Sequence, residues 1–249
     1  EAPPEPSTES PYKSMGVFTK FKMILRHPGK FFEAVKAEKG YEAPVKYYLF
    51  LLFIQIIIAN AVLYLSLTMG AAFFNPSLIN PLMSMFTITT VSNFLFANIS
   101  LVLTIVILFV TAWFFNIFLR LFKGKGRMVD TFKGIVYAYT PNVILTIISI
   151  PISLLILFSI LPSLSPGNLL LELNLVEMSL ATLVFSLMSI AFLIWTLYLE
   201  LKGLSIFHEI SMLRVLGALI LGIIVLYVII GIVLGLVIGL FFLGAFAIP

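Results

Sequence analysis

The chain has 249 residues, of which 61% are apolar and only 10% charged, and its mean hydropathy is +1.15. Such a composition excludes a water-soluble globule and places the chain in a bilayer. The net charge of +4 does not mark a nucleic-acid binder, because the cations stand beside hydrophobic runs, where they orient a membrane chain and meet anionic headgroups; the absence of cysteine removes disulfides, thiolate metal sites and a cysteine nucleophile.

Residues 1–16 open with EAPPEPSTESPYKS, which has four prolines, three glutamates and almost nothing apolar, and read as a disordered tail. The chain begins with Glu while Met15-Gly16-Val17 makes a natural start, so the tail reads as a processed terminus or the remnant of a longer soluble region. It lacks the pattern of a signal peptide, and the first span is expected to be retained. Residues 17–40 form two amphipathic helices. Val17, Phe18, Phe21, Ile24 and Leu25 recur at helical spacing with Lys20, Lys22 and Arg26 opposite; after Pro28-Gly29 the pattern resumes with Phe31, Phe32 and Val35 and ends near Gly40. Spacing alone fits two arrangements: helices lying in the membrane interface with a basic face on the headgroups, or a cap packed on the ends of the spans.

From 46 to 249 the pattern is an all-α, polytopic membrane domain of five spans, about 46–69, 93–119, 135–161, 176–201 and 215–243. Gln55 and Asn60 interrupt the first and are expected to hydrogen-bond a neighbouring helix. Residues 70–92 and the stretch LPSLSPGNLLLELNLVE are outer loops. Pro151 should kink the third span, with Thr146 and Ser149 helping to satisfy the freed backbone groups. The fourth ends in Trp195, Tyr198, Glu200 and Lys202, an interfacial set. In the fifth, Gly231, Gly235 and Gly239 recur every four residues and offer a groove for close helix packing.

The stretch RLFKGKGRMVDTFKGIVYAYTP decides the topology. It holds Arg120, Lys123, Lys125, Arg127 and Lys133 against the single acid Asp130, and Gly124 and Gly126 stop the preceding helix. Eight cations precede the first span, five lie between the second and third, and two between the fourth and fifth, which together are all fifteen Lys and Arg residues. The positive-inside rule then puts the N-terminus in the cytoplasm and the C-terminus outside after five crossings.

Chemistry finds little support, and no enzyme is expected. His208-Glu209 opens a zinc-protease pattern, but Met212 stands where the second histidine belongs, so His208 reads as structural and neither metal nor cofactor is expected. GKGR at 124–127 lacks the spacing of a phosphate loop. A passive transporter or channel for a small solute is the alternative function. No span carries an acid at its centre to couple protons or sodium, and the neutral Asn98, Thr104, Asn116, Thr140, Asn142, Thr146, Ser149 and Ser153 fit helix contacts better than a conduit.

Three blocks carry a family resemblance: HPGKFFEAVKAEKGYEAPVKYYL before the first span, TFKGIVYAYTPNVIL entering the third, and WTLYLELKGLSIFHEISMLRVLGALI joining the fourth to the fifth. Over about 21–239 they resemble Yip domains, five-span membrane proteins that interact with Rab GTPases in eukaryotes. The resemblance implies five helices, a cytoplasmic N-terminus and, in eukaryotic members, vesicle trafficking. The Asp-Leu-Tyr-Gly-Pro signature of those members is missing, so the chain resembles the prokaryotic branch, for which a cell-membrane location and no Rab partner are implied. The expected function is a membrane scaffold or adaptor working through its cytoplasmic face. Lys20, Lys22, Arg26, Lys123, Lys125 and Arg127 are the expected contacts to anionic headgroups or to a membrane-protein partner, with a homo-oligomer as a further possibility of the glycine groove.

Overall fold

The computed structural model describes residues 15–74, 102–160 and 171–246. Within them the chain forms helices and no strand: α1 (Val17–Arg26), α2 (Pro28–Lys36), α3 (Glu42–Phe74), α4 (Val102–Leu121), α5 (Met128–Ala138), α6 (Thr140–Ile160), α7 (Leu171–His208) and α8 (Met212–Phe246). Five stretches are long and apolar enough to cross a membrane: Glu42–Val62, Val102–Leu121, Met128–Ile152, Leu180–His208 and Met212–Ile238. The protein is therefore an all-α membrane protein with two short helices ahead of its spans.

Several helices are longer than their apolar runs. Residues 70–74 continue α3 and 171–175 begin α7, whereas 75–92 and 162–170 of the expected loops, and 93–101 of the second expected span, lie outside the described residues. α5 starts at Met128 rather than near 135, because Asp130 in its first turn accepts a hydrogen bond from the Arg127 backbone N–H at 2.9 Å and so caps a charged segment into a helix. α5 and α6 meet at Tyr139. Pro141 has no N–H for the carbonyl of Tyr137, and the Thr140 hydroxyl supplies the missing donor at 2.7 Å. Further along α6, Pro151 deprives the carbonyl of Ile147 in the same way; Thr146 and Ser149 donate instead to the carbonyls of Asn142 and Thr146. Gln55 reaches Thr146 on α6 and receives the Tyr139 hydroxyl, but Asn60 bonds back to Ile56 within its own helix.

α5 and α7 pack antiparallel. Thr131 meets His208, and Gly134 lies so close to Leu204 that a Cβ would fall 2.6 Å from the leucine methyl. α2 lies across α7 in the same manner, with the Phe32 ring 2.7 Å from where a Cβ of Gly203 would be and edge-on to Phe207 at 5.7 Å. The core gathers at this end: Ile24, Phe31, Phe32 and Val35 of the short helices are closed in by Tyr47, Val136, Tyr137, Leu199 and Phe207. Phe31 and Tyr47 each set a ring edge-on to Tyr137 at 5.1 Å, contacts worth about 0.5–1.5 kcal/mol apiece beyond area burial. Among the described residues α8 is held along its first turns, where Gly217 faces Phe122 and Gly222 faces Phe115 and Phe118.

Candidate functional site

The two short helices, the α4–α5 loop and the α7–α8 turn converge at one end of the bundle, and polar side chains join them in three places. The first is Glu38, just past α2. One of its carboxylate oxygens accepts the Lys20 ammonium of α1, the other accepts the Tyr137 hydroxyl of α5 at 2.6 Å, and its backbone carbonyl accepts the Lys133 ammonium. Lys20 also reaches the Tyr137 hydroxyl at 3.2 Å and lies 5.4 Å from that ring's centroid. Lys133, fully buried, is completed by Asp130 at 3.5 Å and the face of Phe207 at 5.8 Å. A single acid thus ties both short helices to α5, and the desolvated charges each find partners.

The second place is Glu209, which follows α7 in a left-handed conformation at φ 56°. The Ile210 N–H closes the helix end on the Ser205 carbonyl at 3.2 Å, a C-cap that usually takes glycine. Holding a glutamate there costs about 1 kcal/mol and aims its carboxylate at Lys36 of α2 (2.8 Å) and Lys125 of the loop (3.3 Å). Hydrogen bonds from these two lysines hold the carboxyl below the ordinary glutamate value. The loop is fastened once more through the backbone, where the Lys125 N–H donates to the His208 carbonyl at 3.0 Å.

The third is a chain of neutral groups. The Thr131 hydroxyl donates to the Asn116 side-chain oxygen at 3.1 Å, and so must accept from Nε2–H of His208, 2.9 Å away. Nδ1 is left buried and without a partner among the described residues, against Gly124 and Gly126. A Cβ on either glycine would lie 2.8 Å from the imidazole. The residue that ends α4 is Lys123, left-handed at φ 68°, with the Gly124 N–H on the Leu119 carbonyl at 2.9 Å. The two glycines therefore make room for His208, a role beyond the helix stop that composition suggests.

The family model of the Yip1 domain matches residues 22–235, most of the chain. The chain belongs to the Yip1 domain family. No curated protein and no solved structure matches it.

Within this Yip1 domain the residues singled out as surface contacts divide. Lys22, Arg26, Lys123 and Arg127 are exposed at the converging end, and Lys125 is exposed while paired to Glu209. Lys20 is corrected: it is 6% exposed and turned inward to Glu38, so it is no surface contact. Helical spacing placed it opposite the apolar stripe, but the partner that draws it in lies 18 residues further on, beyond the reach of a periodicity argument. The glycine stripe of α8 is bare. Nothing lies within 4 Å of a Cβ built on Gly231 or Gly235, so no described part of this chain uses the groove, and the surroundings of Gly239 lie outside the described residues. Glu38, Tyr137 and Thr131 were not singled out from the sequence, and Lys133 and Glu209 were named there only as a topology-setting cation and as half of an incomplete zinc pattern. An acid ending a short amphipathic helix, and a Lys and Tyr spaced by four at the mouth of an apolar run, were the available signals. Among the described residues no group of three His, Asp or Glu side chains could hold a metal ion.

Proposed function

We propose that this Yip1-domain protein is an integral membrane scaffold or adaptor whose cation-rich end is cytoplasmic and serves as its working surface, without catalytic chemistry. The observation that carries the reading is the division of the lysines and arginines at that end. Lys20 and Lys133 are consumed internally in fastening α1, α2 and α5, which leaves Lys22, Arg26, Lys123 and Arg127 outward on one fixed body. A preorganised basic face beside a bilayer attracts anionic headgroups at about 1 kcal/mol per nearby cation. The same face suits an acidic segment of a membrane-protein partner, since little side-chain and loop ordering remains to be done on binding. The N-terminus is then cytoplasmic and the C-terminus outside, in a prokaryotic cell membrane.

The test uses the intact protein in nanodiscs of mixed phosphatidylcholine and phosphatidylserine. Native mass spectrometry should find phosphatidylserine retained above its bulk share, and the combined reversal K22E/R26E/K123E should abolish that enrichment without lowering the melting temperature, because none of the three residues belongs to the buried core. Equal retention by both proteins would remove the lipid-facing half of the proposal.

A further inference from the structure

Glu200 is an acid inside α7 that the polar junctions do not use. It lies within the candidate span Leu180–His208, half-buried, and among the described residues its carboxylate has no hydrogen bond or ion pair. Its own helix cannot supply a partner. The residues one turn away are Thr196, Leu197, Gly203 and Leu204, while Lys202, two positions on, points to a different side of the helix, where its Cε comes within 3.6 Å of a Cβ built on Gly29. Among the described residues no other element supplies a partner. Every Lys and Arg except Lys13 is among the described residues and none pairs with Glu200, and the stretches 75–101 and 161–170 contain no Lys or Arg.

The neighbours of Glu200 along the helix say what kind of partner would fit. Ser186, Ile190, Leu193, Leu197 and Glu200 follow one another at spacings of four and three, the stripe that a straight neighbouring helix can follow. The first four are exposed, Leu193 at 66%. Ser186 bonds back to the Thr182 carbonyl at 2.8 Å and presents a small surface at the end of the stripe, next to three bulky aliphatic side chains. An ionisable group in a span is ordinarily paired with an opposite charge. A second copy of this chain related by a twofold axis along the stripe would instead set Glu200 against Glu200.

We propose that this stripe of α7 is a docking seam for a membrane helix of a different polypeptide, one that carries a lysine or arginine at the level of Glu200. The seam stands on α7 alone and is independent of what the cation-rich end binds. Because the chain has no cysteine, a donor dye can be placed on a single cysteine introduced at Leu213, and the full-length protein reconstituted in phosphatidylcholine vesicles. The probe is a synthetic single-span leucine–alanine peptide bearing an acceptor dye and one lysine near one end, compared with peptides bearing glutamate or leucine there. Energy transfer should report association about threefold or more stronger for the lysine peptide, in line with polar pairs between membrane helices. Glu200→Gln should level the three peptides, Glu200→Lys should favour the glutamate peptide, and Leu193→Trp should weaken all three. The comparison among peptides on the unaltered protein decides the matter even if a variant fails to fold. Equal association of the three peptides overturns the seam, as does a lysine preference that survives Glu200→Gln or ignores Leu193→Trp. Transfer between copies of the protein that the lysine peptide cannot displace also overturns it.

Discussion

The converging end of the bundle and the far half of α8 are built on opposite terms. At the first, buried rings, a fully buried lysine and glycines within contact distance of side chains pack against one another. At the second, every residue from 226 to 238 is exposed, and Gly231 and Gly235 face no described part of the chain. The difference follows from the solvent. Lipid tails are as apolar as leucine, so a bare leucine-rich helix is stable among them, whereas charges near the interface must be paired wherever they leave water. Specific internal structure is therefore concentrated where the polar groups are, and the far half of α8 is left free of the other described helices.

The sharpest way to break this contrast is at Glu38. Glu38→Ala removes the acceptor for Lys20 and Tyr137 and leaves the ammonium of Lys20 buried, which should cost about 3 kcal/mol and release both short helices. A lowered melting temperature in detergent, together with proteolysis in the 17–40 region, would register it, and Lys22→Ala should do neither. An unchanged melting curve would mean that the short helices are not held by this junction.

A pair of glycines sharpens the comparison next. Gly203→Ala places a methyl 2.7 Å from the Phe32 ring, itself buried and edge-packed on Phe31 and Phe207, and should lose about 1–3 kcal/mol. Gly235→Ala meets nothing within 4 Å and should be neutral or slightly stabilising through helix propensity. Equal losses at both positions would show that the stripe of α8 is occupied after all.

The smallest effect concerns acid. Because Lys36 and Lys125 depress the carboxyl of Glu209, its contribution is fully present above the ordinary glutamate value of 4.5 and disappears as the pH falls through the lower folded value. The group is exposed and the effect on global stability should be slight. Hydrogen exchange of the loop 122–127 should nevertheless quicken below the ordinary glutamate range, and Glu209→Gln should show the faster exchange already at neutral pH.

Five spans were legible in the sequence, because hydropathy and the placement of cations are properties of segments and need no knowledge of contacts. The short helices at 17–40 were legible for the same reason, through their 3.6-residue period. What joins them to the spans was not. Glu38 meets Lys20 and Tyr137 across 18 and 99 residues, and a local pattern has no access to either separation. The start of α5 was hidden because Asp130 and Lys133 look like loop charges, although one caps the helix and the other is buried by it. His208 stood out in the sequence only as half of an incomplete zinc pattern, and its seat between Gly124 and Gly126 depended on a turn more than eighty residues away from them.

α7 runs unbroken over 38 residues, about 57 Å at about 1.5 Å per residue, and from 171 to 202 it contains neither proline nor glycine. Such a rod has no joint at which to bend, so a bilayer thinner than its apolar length is met by leaning. A lean of about 5° carries one end sideways by about 5 Å relative to the other over that length. The end that moves holds His208 and Glu209, and through them the loop and α2. Whatever angle α7 takes in the bilayer is therefore passed on to the loop and α2 that Glu209 holds, because they are fastened to its end.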